Sequence, residues 1–572
     1  MYIQSPFPPL PPVPQTNLFN VLLRRPDQAQ WPDHTMYADG LTGRKVSFLQ
    51  HVDRALDAAT ALSTPEAEGG VGITDGELVG IFSENCLDYI VLVHALLAIT
   101  VPFSLFPSQP TSLELEHVLN TTKVTCVFVQ PELLTGSIEA FRRANIPDDR
   151  IYILEGSSQG KLSLGDLIDR VRTSRIPRVS VREPKKDCLA YLVFSSGTSG
   201  LPKAVMISQD NVRFAIYQAI VVTMSIREVY EPPPPPTPHG FPVALSILPF
   251  YHSYGLHFTM FRTLLPSVVV VLPRWDMDLA IDIIQKHRVT MASFVPSLIH
   301  QLVNSPKFKK ADLSSIQSML SGAAYLPPQL ADKLTSLTNP AAILAEGYGM
   351  SEGTISAMTK PIPGLLDGRF DPLPKCTGVL IAGVEARVVR EDGSEAGFDE
   401  PGELLIRGGN VALGYWGNEE ATEETFLPYG WLKTGDRFRV DKKGIFYFED
   451  RGKDTLKVSG HQVSPKEIEV VLLAHPENLL VDASVAGVPG GRTSDEKVPR
   501  AWVVLSDEGK RLGANSVQRK LKAWTQKSLS KYKWLRGGIE IVDEIPKSPT
   551  GKVLRRVLQE RYAQSLSTQS KL

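Results

Sequence analysis

The chain contains 572 residues, which allows up to about four domains of ~150 residues each. Its 61 basic and 62 acidic residues leave a net charge of −1, which does not favour a protein held to nucleic acid or to an anionic membrane by its overall field. A hydrophobic fraction of 42% suffices for large cores and excludes wholesale disorder. The four cysteines lie far apart and form no C-x-x-C pair, so we expect neither a disulfide framework nor a zinc ribbon: Cys86, Cys126, Cys188 and Cys376.

The two ends of the chain bear on its location. The proline-rich N-terminus lacks the charged and apolar regions of a signal peptide, and the apolar stretch 90–103 is shorter than the ~20 residues of a spanning helix. No integral membrane segment is therefore expected. The C-terminus ends in Ser570-Lys571-Leu572, the tripeptide that the peroxisomal import receptor reads. We therefore expect a peroxisomal protein, the alternative being a coincidental tail.

In the first part of the chain, strands and helices alternate. This βαβ rhythm predicts parallel sheets with helices on both faces. Strands are predicted over 77–83, 122–129, 189–194, 267–272 and 291–295, and helices over 87–99, 211–223 and 278–287.

The pattern of predicted elements changes after about residue 375. Short strands separated by Gly and Asp turns predict an antiparallel β subdomain. A new unit begins near Lys453, where the order Ser464, Pro465 and Glu467 predicts the capped start of a helix. We place a domain boundary at residues 451–453.

A Ser/Gly-rich loop follows the strand that ends at Phe194. Its two glycines, four hydroxyl side chains and backbone N–H groups are suited to anionic oxygens, and a lysine adds positive charge. The spacing is not that of a Walker A loop. The loop predicts a polyphosphate site, the alternative being a flexible surface loop; its residues are Ser195, Ser196, Gly197, Thr198, Ser199, Gly200 and Lys203.

The string SSGTSGLPKAV at 195–205 resembles the signature loop of the adenylate-forming enzymes, which include acyl-CoA synthetases, 4-coumarate–CoA ligases, luciferases and peptide-synthetase adenylation domains. Four further segments match that superfamily in the expected order: 346–352, 430–436, 450–460 and 546–552. The overall texture is closest to that of peroxisomal 4-coumarate–CoA ligase-like acyl-CoA ligases. The resemblance implies an α/β fold. Its large AMP-binding domain, 1–451, would consist of two parallel-rich α/β subdomains and a β subdomain, followed by a small mobile α+β lid, 452–572.

The resemblance also implies a reaction in two halves, with ATP, Mg²⁺ and coenzyme A. A carboxylate attacks the α-phosphorus of ATP and expels pyrophosphate, and a thiol then attacks the acyl adenylate. In the nucleotide site, loop 195–203 would hold the β- and γ-phosphates, and Glu352 would bind the metal. The other implied nucleotide contacts are Ala324, Glu346, Gly347, Tyr348, Gly349, Ser351, Asp436, Phe448 and Arg451.

The remaining implied roles belong to the lid. Lys552 would bridge the substrate carboxylate and the α-phosphate, although a lysine near a C-terminus is often only solvated. Lys453 would be the hinge. Ser459 and Gly460 would line the thiol tunnel, and Lys457 would serve the second step.

The acyl pocket is expected around the segment 249–255. The resemblance implies that His252 gates the thiol tunnel and that Tyr254, Ile355 and Ser356 line the pocket, although His252 could also be an ordinary core histidine. No acidic residue stands in this segment, so an α-amino acid is not expected. Aromatic and apolar walls favour an aryl-alkenoic, arylacetic or medium- to long-chain fatty acid.

The sequence therefore predicts an ATP-dependent carboxylic acid–CoA ligase. Two alternatives share its first half-reaction or its fold: an enzyme that loads a carrier protein and a luciferase-like oxygenase. An inactive scaffold would be expected to lose Glu352, Asp436 or Lys552, and all three are present.

Overall fold

The structure is a computed structural model. It describes residues 2–195, 201–323, 326, 328–370, 376–390, 392–451, 456–458, 461–463, 465–490, 497–546, 553 and 555–569.

The large domain is built from alternating strands and helices, and then from strands. Its strands are β1 (Tyr2–Gln4), β2 (Thr35–Asp39), β3 (Lys45–Ser47), β4 (Val79–Phe82), β5 (Phe103–Phe106), β6 (Cys126–Val129), β7 (Ile151–Ile153), β8 (Leu189–Ser195), β9 (Lys203–Ser208), β10 (Val243–Ser246), β11 (Val268–Val271), β12 (Met291–Phe294), β13 (Ser318–Ser321), β14 (Ile343–Tyr348), β15 (Met358–Thr359), β16 (Val379–Leu380), β17 (Glu385–Val389), β18 (Gly402–Arg407), β19 (Phe426–Leu427), β20 (Trp431–Val440) and β21 (Phe446–Arg451). Its helices are α1 (Leu18–Leu23), α2 (Phe48–Ser63), α3 (Leu87–Ala98), α4 (Ser112–Thr122), α5 (Pro131–Arg143), α6 (Leu164–Thr173), α7 (Gln209–Val229), α8 (Ser253–Met260), α9 (Met277–Lys286), α10 (Pro296–Asn304), α11 (Pro306–Lys310), α12 (Pro328–Leu337) and α13 (Glu419–Thr425).

The small domain follows as a second, shorter set of elements. They are β22 (Leu456–Val458), β23 (His461–Val463), α14 (Pro465–Leu473), β24 (Leu480–Pro489), β25 (Lys497–Leu505), α15 (Asp507–Leu512), α16 (Ala514–Ser528), β26 (Ile539–Ile541) and α17 (Arg555–Gln569).

Two sheets of the large domain are largely parallel. The first has the order β7-β6-β4-β5-β8-β9, and all its pairs are parallel except β8–β9. The second has the order β16-β15-β14-β13-β12-β10-β11-β2-β3, with parallel pairing from β14 to β2. Five of these strands, β4, β5, β6, β10 and β11, are fully buried and mostly apolar, as parallel strands between helix layers are. The predicted parallel sheets are confirmed.

The third sheet of the large domain is antiparallel and joins the two ends of that domain. Its order is β1-β17-β18-β20-β19, and β21 pairs with β20. The antiparallel β subdomain expected after residue 375 is thereby confirmed.

The small domain has its own core. The hairpin β22–β23 and the sheet β24-β25-β26 pack with α14 and α16 around buried residues such as Leu456, Ile468, Val485 and Leu521. The α/β fold class with a large N-terminal and a small C-terminal domain is therefore confirmed.

Two predicted elements have different bounds. The strand expected from residue 122 begins at Cys126, because Thr122 ends helix α4 and Lys123 adopts a left-handed conformation that stops the helix. The helix expected over 211–223 is longer, α7, and its cap is Ser208, whose hydroxyl accepts from the N–H of Asn211. Among the described helices, none combines the length and the apolar character needed to cross a bilayer.

Candidate functional site

The Ser/Gly-rich loop connects two paired strands. Ser195 ends β8 and Lys203 begins β9, and the two residues are register partners in this antiparallel pair. The Ser195 hydroxyl donates to Glu352 Oε1 at 2.8 Å. The strand pair therefore fixes both ends of the loop and places its first hydroxyl against the expected metal-binding carboxylate.

Glu352 lies in a short helical turn, Ser351–Gly353, and is buried. Its Oε1 also accepts from the Tyr415 hydroxyl at 2.9 Å. Burial first, and then the Glu352 carboxylate, raise the pKa of Tyr415 well above its ordinary value, so this phenol remains a donor. The Lys203 Nζ lies 4.9 Å from the centre of the Tyr415 ring. Tyr415 thus links the Glu352 carboxylate to Lys203. No sign of this role is visible in the sequence, because Tyr415 lies outside the five segments that match the superfamily.

Strand β14 carries the expected adenine segment. The Glu346 carboxylate accepts from Lys360 Nζ at 2.6 Å, and Gly347 pairs with Thr359 on β15. The Tyr348 hydroxyl donates to Asp436 Oδ2 at 2.8 Å. This contact unites the adenine and ribose segments, which are 88 residues apart in sequence.

Asp436 is buried within strand β20. Its register partner on β21 is Arg451, the other residue expected at the ribose. Phe448 is on the same strand, and its ring meets that of Phe438 edge to face at 5.5 Å. The structure therefore brings the three expected residues of this segment to one pair of strands.

The turn after β14 is tightly packed. A Cβ placed on Gly349 would lie 1.4 Å from the Ile355 carbonyl oxygen, so only glycine fits there. Ile355 has φ = 98°, a strained value for a β-branched residue. The Asn410 amide holds the segment by donating to the carbonyls of Gly353 and Ser356 at 2.9 and 3.3 Å.

Two of the expected acyl-site residues, His252 and Tyr254, lie at the start of α8. His252 directly precedes the helix, and Tyr254 lies in its first turn. The Tyr254 hydroxyl accepts from Ser293 on β12 at 2.5 Å. A Cβ on Gly322 would lie 3.5 Å from the Tyr254 ring and 3.7 Å from the Gly347 carbonyl oxygen, which places Tyr254 beside the adenine segment.

The small domain contacts the large domain at the start of α8. The ring of His461, on β23, lies 5.6 Å from that of His252 and stacks on Tyr532 at 4.0 Å. Burial lowers the pKa of His252 to about 4, and burial together with His252 lowers the pKa of His461 to about 3. Both imidazoles are neutral at physiological pH. Lys457 lies on β22, where it is the register partner of residue 462 on β23.

Several sequence-predicted site residues lie outside the described part of the chain. They are Ser196, Gly197, Thr198, Ser199, Gly200, Ala324, Lys453, Ser459, Gly460, Lys552, Ser570, Lys571 and Leu572.

The residues around Glu352 fit a hard cation bound on phosphate oxygens. Glu352 offers carboxylate oxygen, and Mg²⁺ is commonly held by one or two carboxylates with waters and substrate phosphates. In the described ranges no cluster of three or more His, Cys, Asp or Glu side chains forms a self-sufficient metal cage. A metal here would depend on the nucleotide for most of its ligands.

The sequence matches two family descriptions in succession. Residues 25–416 match "AMP-binding enzyme", and residues 467–552 match "AMP-binding enzyme C-terminal domain".

Individual proteins resemble the chain over nearly its whole length. A "Probable 4-coumarate--CoA ligase 1" of Dictyostelium discoideum is 30% identical over 98% of this chain and 97% of its own length. The "Acyl-CoA ligase easD" of Emericella nidulans is 31% identical over 91% of each chain. The solved amide bond synthetase McbA of Marinactinospora thermotolerans superposes with a TM-score of 0.75 at 22% identity, covering 92% of this chain and 97% of that one. This last likeness concerns the fold.

Proposed function

We propose that this chain, which belongs to the AMP-binding enzyme family, acts on an aryl-alkenoic, arylacetic or medium- to long-chain fatty acid. The reaction is that of an ATP-dependent, AMP-forming acid–CoA ligase. The observation that carries the assignment of the site is the contact between Ser195 and Glu352. It joins the first residue of the phosphate loop to the proposed metal ligand, 157 residues away in sequence.

In the first half-reaction the substrate carboxylate attacks the α-phosphorus of ATP. No protein nucleophile is required, so the residues act by position and charge. Loop 195–203 would bind the β- and γ-phosphates, Ser351 the α-phosphate and Glu352 a Mg²⁺ ion. The ion would supply positive charge at the phosphate oxygens when bound. Tyr348 would pack on the adenine, and Asp436 would accept the ribose hydroxyls.

Lys552 would complete this half-reaction by placing its ammonium between the substrate carboxylate and the α-phosphate. Lys453 would be the hinge about which the small domain turns between the two half-reactions. The boundary between the domains would then fall at residues 451–453.

In the second half-reaction the thiol of coenzyme A attacks the acyl carbonyl and releases AMP. The hairpin β22–β23 supports this assignment, because it sets His461 against His252 at the entrance of the proposed acyl site. Lys457, Ser459 and Gly460 would face the arriving thiol.

The reaction is tested by measuring pyrophosphate release with purified enzyme, ATP and a panel of aryl, short-, medium- and long-chain acids, each with and without coenzyme A. We expect acid-dependent pyrophosphate release and an acyl-CoA product that is formed only when coenzyme A is present. Activity only with a purified carrier protein would favour a loading enzyme, and light emission with a luciferin would favour an oxygenase. No acid-dependent release with any acid would contradict the proposal.

We also propose that the enzyme works in the peroxisome and enters it through its C-terminal tripeptide. Removal of Ser570, Lys571 and Leu572 from a fluorescently tagged chain should abolish punctate localisation and leave the ligase activity of the purified enzyme unchanged. Persistent import of the shortened chain would contradict this proposal.

A further inference from the structure

A half-buried arginine stands at the far end of the helix that carries the proposed acyl site. Arg262 lies one residue into the short helical turn Phe261–Leu264 that continues α8. Its spacing of eight residues from Tyr254, with Phe258 midway, places the three side chains on one helix face. The Arg262 Cζ lies 5.2 Å from the centre of the Phe258 ring, as this geometry requires.

Strand β12 faces the same helix. Because side chains alternate along a strand, Met291 and Ser293 share one face of it. Ser293 contacts Tyr254, and Met291 contacts Arg262 through its Sδ atom. The helix and the strand thus hold a phenol and a hydroxyl at one end of their contact and a guanidinium at the other end.

Arg262 has no counter-ion among the residues that the structure describes. Its Nε is buried without a hydrogen-bond partner, and the contact of Nη1 is with a thioether, a weak acceptor. Burial lowers the pKa of Arg262 to about 10, so the group still carries its charge at neutral pH. A buried N–H donor of a charged group that is left without an acceptor is unfavourable in a folded protein.

Two other arginines of low exposure have anionic partners, although Arg213 Nε is, like Arg262 Nε, buried without an acceptor. Arg213 pairs with Asp210 and with the Thr16 carbonyl oxygen, and Arg54 binds Asp88 through two bonds of 2.9 and 2.7 Å. Arg262 differs from them, because no residue in the described ranges supplies it with an anion. An anion from outside the chain would therefore complete its hydrogen bonds.

Arg262 shares its degree of exposure with the two residues at the start of the helix. Arg262, Tyr254 and His252 are each half-buried, so each packs against protein and keeps part of its surface accessible. Such side chains can contact a small molecule that binds along this helix face.

We infer that Arg262 is a distal anion receptor of the acyl site, and that the substrate acid carries a second carboxylate at the end remote from the reacting one. The inference deepens the proposed function and rests on it. At 1.5 Å per residue, the helix from His252 to Arg262 spans about 15 Å, which suits a medium-chain dicarboxylic acid or an aryl-alkenoic acid with a ring carboxylate. The guanidinium fork would bind that second carboxylate through two parallel hydrogen bonds.

The test compares acids that differ only in their far end. The pairs are decanoic and decanedioic acid, dodecanoic and dodecanedioic acid, and cinnamic and 4-carboxycinnamic acid, each assayed for acyl-CoA formation. For the wild type we expect a higher kcat/KM with the diacid in at least one pair. Arg262→Met should lower kcat/KM for that diacid by about 10- to 100-fold and change that of the monoacid by less than about threefold. Arg262→Lys should retain part of the preference.

Arg142→Met makes the same chemical change at an exposed arginine, which is paired with Glu139 on α5, and should leave both acids of every pair unaffected. Binding gives a second readout: the diacid should raise the Tm of the wild type and not that of Arg262→Met. If Arg262→Met does not fold, Arg262→Lys and the wild-type pairs decide.

The inference is overturned if the wild type uses monoacids and prefers none of the diacids, or if Arg262→Met lowers both acids of a pair alike. Either result would leave the ligase assignment standing. Absence of acid-dependent pyrophosphate release with every acid would instead count against the proposed function itself.

Discussion

Lys533 of the small domain is buried against Glu114 of the large domain, with 2.5 Å between Nζ and Oε1. The same ammonium binds Glu467 at the start of α14, 2.8 Å away, and the Ser530 hydroxyl donates to Glu114. Burial alone would lower the pKa of Lys533, yet Tyr532, Glu467 and Glu114 raise it above its usual value. The lysine therefore remains charged and fastens the small domain in the orientation that sets His461 beside His252.

Removing this fastening should affect the two half-reactions unequally. Lys533→Met leaves two buried carboxylates without their cation, a loss of about 3–5 kcal/mol in comparable buried pairs, and so disfavours this lid orientation. We expect acyl-CoA formation from a supplied acyl adenylate to fall by about tenfold or more. Acid-dependent ATP–pyrophosphate exchange should change by less than about threefold, because the other orientation does not need the contact.

Lys531→Met is the matched control, because Lys531 is an exposed lysine two residues away. It should leave both half-reactions unchanged. Equal losses in exchange and in thioester formation for Lys533→Met would mean that the contact stabilises the fold and does not select an orientation.

For Lys552 we expect the opposite pattern, a large loss in adenylation and a small loss in thioester formation. Lys552→Ala should reduce ATP–pyrophosphate exchange by on the order of 10²-fold, the scale of removing one preorganised charge from a developing anion. Thioester formation from a supplied adenylate should be reduced far less. Near-wild-type exchange by the variant would reject the catalytic assignment of Lys552.

Glu352→Gln tests the nucleotide site. The amide keeps the shape of the side chain and can still accept from Ser195 and Tyr415, but it removes the charge proposed to bind the metal. We expect adenylation to fall by about 10²-fold, with a higher Mg²⁺ concentration needed for half-maximal rate. Glu420→Gln, on the exposed face of α13, should behave as the wild type. An unchanged Mg²⁺ dependence in Glu352→Gln would contradict the metal role.

Sequence reasoning proposed those candidate residues of this site that lie in contiguous segments. Ser195, Glu352 and Asp436 each belong to a string whose residue types and order are specific, and alternating apolar runs gave the parallel strands. Residues that act through distant partners were missed. Lys533 and Glu114 are 419 residues apart, and neither stands in a recognisable motif. Arg262 looks like an ordinary charged residue in the sequence, because only the folded chain shows that its Nε is buried without an acceptor.

Two glycines of the adenine segment provide a matched pair of variants. A Cβ on Gly349 would lie 1.4 Å from the Ile355 carbonyl oxygen, whereas on Gly353 it would be 3.5 Å from the nearest atom, a side-chain carbon of Ile406. Gly349→Ala must therefore displace the turn that carries Glu352 and should abolish measurable adenylation. Gly353→Ala makes ordinary van der Waals contact and should keep at least about a third of the wild-type rate. Similar rates for the two variants would show that this turn is not packed as described.

A buried histidine should make the large domain sensitive to mild acid. His257 accepts from or donates to the Tyr191 hydroxyl at 2.7 Å, and burial lowers the pKa of His257 to about 3. Since an unfolded histidine has a pKa near 6.5, the unfolded chain binds more protons between these values, and stability must fall as the pH drops below about 6.5. Linkage gives a loss of about 1.4 kcal/mol between pH 7.5 and 5.5 for this residue alone.

His257→Gln removes the titrating group and keeps a hydrogen-bond partner for Tyr191. We expect the fall in Tm between pH 7.5 and 5.5 to be smaller in this variant than in the wild type, by about 1–3 °C for a large domain. His300→Gln, on the outer helix α10, controls for the loss of a histidine as such and should show the wild-type fall. An equal fall in Tm for His257→Gln and the wild type over this pH interval would contradict the prediction. The variant has no imidazole at this position, so protonation of His257 could not then be the cause of the fall.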